Sequence, residues 1–131
     1  MSRVLFSFPE QNELGARLIP LVQARAGRLD WRRFPDGESL VTIDNAIDGE
    51  SVAFLASLHR PDDAALALRF AAATAREFGA RRVGLFAPYL AYMRQDKRFH
   101  DGEAISARLF ARFLEESFDW LVTADPHLHR N

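Results

Sequence analysis

The order of predicted elements places the chain in the α/β class, with a mainly parallel sheet flanked by helices. Apolar segments of strand length alternate with segments of helical periodicity through most of the 131 residues. The segment SVAFLAS (51–57) is continuously apolar, as expected for a strand buried on both faces of a parallel sheet. Two half-exposed strands within residues 28–45 interrupt the alternation. We therefore expect one α/β domain with an inserted β-hairpin.

The first elements are a strand and a helix. The segment RVLFSF (3–8) predicts a buried strand that opens the domain. Apolar residues then recur at helical spacing, namely Leu14, Leu18, Leu21 and Val22. Gly27 is the predicted end of this helix, and Pro20 should kink or shorten it, because proline lacks the backbone N–H that a helix interior needs.

The hairpin is predicted from two alternating segments. RLDWRRF (28–34) and SLVTIDN (39–45) alternate apolar and polar residues as half-exposed strands do. The intervening PDGE contains an Asp-Gly pair, which is a turn signal.

The second half of the chain repeats the alternation. Residues 61–78 predict a helix that begins with proline and two aspartates and is followed by Gly79. Strands are predicted at 82–87 and 119–124, with an amphipathic helix at 103–116 between them. The predicted apolar side of that helix carries Ile105, Leu109, Phe110, Phe113 and Leu114.

Composition narrows the classes of partner and setting. Seventeen basic and eighteen acidic residues give a net charge of −1, so no global field attracts nucleic acid or an anionic membrane. The absence of cysteine excludes disulfides and thiolate metal sites, and it favours a cytoplasmic setting. No apolar run reaches transmembrane length, and the N-terminus does not resemble a signal peptide. Because the net charge is close to zero, any site for an anion must come from a local group of basic residues.

Three polar segments each follow a predicted strand: Phe34–Glu38, Arg94–Phe99 and Asp125–His129. Ligands of parallel α/β sheets bind beyond the carboxyl ends of the strands, so this placement favours a common site. The RQDKR segment (94–98) puts three cations within five residues, which suits a polyphosphate with a stacked base. The alternative is a solvated loop. Single-stranded nucleic acid is a weaker interpretation, since the cluster is too short to form a groove.

The other two segments leave their own alternatives open. Asp125, His127 and His129 could hold a divalent cation if the segment is extended; otherwise they form a surface turn. FPDGES (34–39) by itself is typical of a simple turn.

Taken together, FPDGE, YMRQDKRF…GEAIS and TADPH occur in an order that closely resembles the N-terminal half of the ribose-phosphate pyrophosphokinases (phosphoribosyl-diphosphate synthases). The resemblance runs from RFPDGES through LVTADPH, and YMRQDKRF-x-x-GE-x-IS is most similar to the shorter, archaeal-type branch. It implies a phosphoribosyltransferase-like fold. It also implies diphosphoryl transfer from MgATP to ribose 5-phosphate, giving 5-phosphoribosyl 1-diphosphate and AMP.

The resemblance also implies roles for individual residues. Arg94, Gln95 and Asp96 belong to the ATP-binding loop. Phe34, Asp36 and Glu38 would reach the ATP of a neighbouring subunit in a homo-oligomer, where Phe34 and the arginine sandwich the adenine. His127 would lie beside the magnesium–triphosphate as a catalytic and metal-binding residue, and Asp125 would be a second Mg²⁺ ligand.

Two features depart from the family pattern. The HLHR that follows Asp125–Pro126 leaves the role of His129 unassigned, and SLHRPDDAALAL (57–68) is looser than the corresponding family segment. The flexible basic loop, ribose-phosphate loop and pyrophosphate loop of the family's second half do not occur in residues 1–131. We therefore expect 1–131 to be the N-terminal ATP-binding and assembly domain, inactive alone. The alternatives are a non-catalytic homologue that assembles with or regulates a synthase, and a flavodoxin-like module for an unrelated anion.

Overall fold

A computed structural model of the chain describes residues 2–125. Seven strands and three helices lie within that range. In chain order they are β1 (Arg3–Ser7), α1 (Asn12–Val22), β2 (Arg25–Gly27), β3 (Leu29–Arg33), β4 (Ser39–Ile43), β5 (Ser51–Leu55), α2 (Pro61–Glu77), β6 (Arg82–Tyr89), α3 (Ser106–Ser117) and β7 (Trp120–Asp125).

Five strands form one parallel sheet in the order β2-β1-β5-β6-β7. The predicted parallel α/β fold is therefore confirmed. Because all five strands run the same way, the chain segments that follow β1, β5 and β6 leave from one edge of the sheet. This edge is where ligands of such sheets bind.

The predicted hairpin is also confirmed. Strands β3 and β4 pair with each other in antiparallel register as a separate two-stranded sheet. Its turn contains Gly37 at φ +96°, a conformation that a residue with a side chain rarely adopts. The hairpin packs against α2 through β4, and Trp31 of β3 contacts the main core at Phe8.

Helices cover both faces of the sheet. On one face, α2 presents a row of buried alanines to the sheet, and Leu114 of α3 and Phe118, just beyond it, join the same core. Phe6 and Phe54 are paired neighbours on β1 and β5, and their rings stack in this core with 5.2 Å between centroids. On the other face α1 packs over Leu55, where a Cβ on Gly15 would collide with the Ser7 side chain.

Two boundaries of the predicted elements are wrong. The first helix ends at Val22, two residues after Pro20, and Gln23 caps it in the left-handed region. Gly27 is not the end of a helix. Residues 25–27 form the short strand β2, which pairs with β1. The predicted 103–116 helix begins three residues later than expected, because residues up to Ile105 belong to the preceding loop.

Two of the apolar residues that carry the predicted helical patterns are exposed. Leu21 is 79% exposed on α1 and Leu109 is 54% exposed on α3. In the described range, 2–125, no helix combines the length and apolarity needed to span a membrane.

Candidate nucleotide site

A cavity of about 750 Å³ opens where β5 and β6 end and α2 begins. Three chain segments form its wall: the residues after β5, the start of α2 and the residues after β6. The lining residues are Leu58, His59, Arg60, Pro61, Asp62, Asp63, Tyr89, Ala91, Tyr92, Met93, Arg94 and Gln95. A volume of this size is typical of a small-molecule site. The cavity therefore lies where the strand order predicted a ligand.

Two of the predicted ATP-binding residues, Arg94 and Gln95, lie together in this wall. Both stand in the loop that links β6 to α3, and the loop is joined to the helix because Ala107 N–H donates to the Gln95 carbonyl (3.1 Å). Arg94 is exposed and Gln95 is half-buried. The first two residues of the RQDKR segment therefore form part of the cavity wall.

The loop is fastened to α2 at its start. Tyr92 has φ +68°, a left-handed conformation that is uncommon for a bulky side chain. Its hydroxyl donates a hydrogen bond to Asp62, which raises the pKa of Tyr92, and partial burial adds to that effect. The ring packs on Phe110 of α3 with 5.0 Å between centroids. Contacts with both helices thus hold a strained residue at the mouth of the cavity.

At its far end the loop closes on the Glu103 carboxylate. One oxygen, Oε1, accepts hydrogen bonds from Gln95 Nε2 (3.0 Å) and from the backbone N–H groups of Phe99 (3.1 Å) and His100 (3.0 Å). The other oxygen, Oε2, lies 3.0 Å from His100 Nδ1. The hydrogen bond with the His100 ring is the largest cause lowering the pKa of Glu103, followed by that from the His100 backbone.

The charges lining the cavity are unevenly paired. Asp62 accepts from Tyr92, and Asp63 forms an ion pair with Arg33 of the hairpin (3.6 Å). By contrast, Arg60 and Arg94 form no ion pair or hydrogen bond with the described side chains. The acidic groups of the wall have partners while two guanidinium groups are available, so the cavity favours an anionic ligand.

The site includes residues that the sequence analysis did not single out. His59 stacks on Tyr89 with 4.8 Å between ring centroids and an interplanar angle of 10°. His59, Arg60 and Asp62 lie in the SLHRPDD segment, which the sequence analysis treated as a helix start and as a departure from the family pattern, and not as part of a site. Its position after the continuously apolar β5 was an available signal, because the carboxyl ends of parallel strands share one edge.

The predicted hairpin residues lie elsewhere. Phe34 is 48% exposed, and Asp36 and Glu38 are exposed as well. Among the residues described, neither these three nor Asp96 contributes to the wall of the cavity. The tip is held by hydrogen bonds among its own residues. Phe34 N–H donates to the Glu38 carbonyl (2.8 Å), and Glu38 N–H donates to the Asp36 side chain at Oδ1 (3.0 Å).

The predicted metal ligands lie at or beyond the last described residue, Asp125. The backbone of Asp125 ends β7 and pairs with Tyr89, so it lies at the same edge as the cavity. His127 and His129 lie outside the described residues. Within residues 2–125, no cluster of three or more metal-ligating side chains is present. The Mg²⁺ assignment to Asp125 and His127 therefore stays a prediction.

Comparison with known proteins identifies the family. A family model described as the N-terminal domain of ribose phosphate pyrophosphokinase matches residues 3–117. The chain belongs to this family. The predicted resemblance to ribose-phosphate pyrophosphokinases is thereby confirmed.

Curated relatives carry the same name. Ribose-phosphate pyrophosphokinase from Halobacterium salinarum is 36% identical over 124 residues, which cover 95% of this chain and 44% of the relative. The Methanopyrus kandleri protein of that name is 37% identical over 125 residues, covering 95% of this chain and 43% of the relative. The chain thus spans less than half the length of these ribose-phosphate pyrophosphokinases.

A solved structure supports the fold assignment. The phosphoribosylpyrophosphate synthetase from Mycobacterium smegmatis superposes with a TM-score of 0.84 at 26% sequence identity. The match covers 94% of this chain and 42% of the synthetase. The parallel sheet, the flanking helices and the hairpin are therefore those of a ribose-phosphate pyrophosphokinase N-terminal domain.

Proposed function

We propose that this chain forms the ATP-binding side of a ribose-phosphate pyrophosphokinase. The reaction would move the β,γ-diphosphoryl group of MgATP to the anomeric hydroxyl of ribose 5-phosphate, and release AMP. The observation that carries the proposal is that Arg94 and Gln95 line the cavity at the carboxyl edge of β5 and β6. The family match and the relatives' shared name support the reaction class.

The free cations of the wall provide the chemistry of this half. Arg94 and Arg60 would neutralise the triphosphate, and Arg94 would also stack on the adenine. Diphosphoryl transfer needs positioned and neutralised charge more than covalent help from the protein. Asp96, in the same loop but outside the wall, is proposed to contact the nucleotide when the ligand is bound.

Magnesium would arrive as part of the MgATP substrate. Asp125 lies beside Tyr89 in the sheet, so its position at the cavity edge suits a ligand to that ion. A carboxylate is a chemically appropriate ligand, because Mg²⁺ prefers oxygen donors. We assign Asp125 and His127 to this role, as the family resemblance implies, and His127 to catalysis as well.

The hairpin tip is proposed to complete the ATP site of a second copy of the chain. Its aromatic ring is half exposed, and the tip lies outside the wall of the cavity of its own chain. Phe34 could cover the free face of a base stacked on the neighbour's Arg94. The carboxylates of Asp36 and Glu38 could then accept from the exocyclic amine.

Calorimetric titration of MgATP tests the proposal. Arg94→Ala should weaken binding by about 1–3 kcal/mol, because a charge-assisted contact with the phosphates is lost. Arg112→Ala is the matched control, since it removes the same charge from an exposed position on α3 outside the cavity wall. Equal affinities of the Arg94→Ala and Arg112→Ala variants would refute the assigned site.

A further inference from the structure

The Glu103 carboxylate connects both ends of the loop that carries Arg94 and Gln95. It lies eight residues after Gln95 and accepts from the Gln95 side chain and from two backbone N–H groups near its own position. Arg98 Nε also donates to the Glu103 carbonyl (2.7 Å). The loop belongs to no helix or strand. Most of the described hydrogen bonds within it involve the Glu103 carboxylate.

The same contacts fix how the Gln95 amide is turned. Gln95 Nε2 donates to the Lys97 carbonyl (3.1 Å) and to Glu103 Oε1 (3.0 Å). A carbonyl and a carboxylate can only accept, so the group facing them must be the NH₂ and not the amide oxygen. Both N–H donors of Gln95 are therefore in use. Its Oε1 remains as the atom available to a ligand in the cavity.

We propose that Glu103 is a positioning residue for the ligand of this cavity. It holds the loop closed and keeps the Gln95 amide turned so that Gln95 offers the ligand a hydrogen-bond acceptor. This inference rests on the proposed function. Its ligand partner is a donor group of the nucleotide, either the exocyclic amine of adenine or a ribose hydroxyl, and not a phosphate oxygen.

Removal of the carboxylate would take away the acceptor that these three donors share. The backbone N–H groups of Phe99 and His100 would lose it, and Gln95 Nε2 would keep only the Lys97 carbonyl, so the orientation of the amide would be held less firmly. A turned amide would present NH₂ to a ligand donor, which removes a hydrogen bond and opposes two donors. Arg94 has no contact with Glu103, so phosphate binding should depend on Glu103 much less than nucleoside binding does.

The experiment compares two variants of Glu103 with a control. Glu103→Ala removes every acceptor, whereas Glu103→Gln keeps one amide oxygen at the position of Oε1. Glu115→Ala is the control, because it removes an exposed carboxylate on α3 that is in no ion pair within the described range. MgATP, MgITP and magnesium tripolyphosphate are titrated into each protein, and amide exchange at Phe99 and His100 is followed by NMR.

We expect Glu103→Ala to weaken MgATP binding about fivefold or more, as for one lost hydrogen bond, with tripolyphosphate binding changed less than about twofold. Glu103→Gln should restore MgATP binding. It should also return amide exchange at Phe99 and His100 to the slow rate of the wild type. If the donor is the adenine amine, the wild-type preference for MgATP over MgITP becomes smaller in Glu103→Ala. If the donor is a ribose hydroxyl, both nucleotides weaken together.

Unchanged MgATP affinity in Glu103→Ala overturns the proposal. Equal weakening of MgATP and tripolyphosphate overturns the role of the Gln95 acceptor, since the carboxylate would then only hold the loop. Absence of MgATP binding to the wild-type chain refutes the proposed function and the ligand role with it. In that case, the exchange rates of Phe99 and His100 still decide whether Glu103 closes the loop.

Discussion

The loop of residues 92–105 and the hairpin tip of residues 34–38 are both polar and exposed, yet they are held in different ways. The tip is stabilised by contacts among its own five residues, chiefly the Phe34–Glu38 backbone hydrogen bond and the Asp36 side chain. The loop is joined to the rest of its own chain by Asp62 of α2, which accepts from Tyr92, and it is closed internally by its own Glu103. A self-contained tip can serve a site on another chain, whereas a loop fastened to α2 is suited to form a site of its own chain.

The strongest test of this comparison is turnover by the 131-residue chain. Under the proposed function the loop and the tip supply nucleotide recognition, and residues 1–131 contain no segment that resembles the family's ribose-phosphate loop. We expect no phosphoribosyl diphosphate from residues 1–131, because positioning of the attacking hydroxyl can be worth about 7–11 kcal/mol of barrier. AMP release from MgATP with ribose 5-phosphate measures it, and the M. smegmatis synthetase is the positive control. AMP release that depends on ribose 5-phosphate and matches the control would contradict the prediction.

The next test asks whether the tip acts on a second chain. Phe34→Ala should weaken MgATP binding by about 1–3 kcal/mol, the range for loss of an aromatic surface stacked on a base. If the sites are shared, mixing Phe34→Ala with Arg94→Ala chains should restore some intact sites, because an unmodified tip meets an unmodified loop in part of the interfaces. The readout is calorimetry of the mixture against each variant alone.

Light scattering provides the control for the mixing experiment. The chain should self-associate, and closed symmetric assemblies are the usual outcome. A strictly monomeric chain that nevertheless loses MgATP affinity on Phe34→Ala would place the tip in its own chain's site.

Removing one hydrogen bond from the loop and one from the hairpin should have smaller effects, which differ between the two regions. Tyr92→Phe removes the hydroxyl that fastens the loop to Asp62, and Ser39→Ala removes the acceptor of Trp31 Nε1 (2.9 Å) in the hairpin. Each should lower the free energy of unfolding by about 0.5–1.5 kcal/mol, the usual net contribution of one hydrogen bond. Only Tyr92→Phe should also weaken MgATP binding. Urea unfolding and MgATP calorimetry are carried out on both variants. An equal loss of MgATP affinity in Ser39→Ala would contradict the prediction.

The smallest expected effect is a local response to acid. Interactions with His100 hold the pKa of Glu103 below its ordinary value of 4.5. A depressed folded-state pKa means that the carboxylate stabilises the loop above pH 4.5 and that this support is lost as the pH falls through the lower value. Protection of the Phe99 and His100 amides, measured relative to intrinsic exchange at each pH, should therefore fall in acid. Protection of Gly37, whose N–H donates to the Phe34 carbonyl in the tip, should show no matching change.

The acid experiment requires a residue-resolved measurement. The pKa of Asp119 is also lowered, mainly because its carboxylate accepts from Val83 N–H (2.8 Å), so acid weakens the amino end of β6 as well. Global unfolding would merge the two effects. In Glu103→Gln, which has no titrating carboxylate at that position, the acid response at Phe99 and His100 should be absent.

Sequence patterns determined the elements because the signals for helix and strand are local. The continuously apolar β5, the Pro-Asp-Asp start of α2 and the Asp-Gly turn of the hairpin each depend on neighbours within a few residues. The pyrophosphokinase motifs likewise lie within short segments, so the family was predictable. Arg94 and Gln95 line one cavity, and their role in binding ATP stays a prediction. The role of the tip in a second chain stays a prediction.

Tertiary structure alone decided the rest, because those features depend on which elements are neighbours in the sheet. β2 is too short and too polar to be recognised as a strand, and it forms because the edge of β1 offers it hydrogen bonds. His59 and Arg60 face Arg94 only because β5 lies beside β6. Glu103, predicted as part of a helix, instead closes a loop, because its carboxylate finds three donors that no sequence period could place around it.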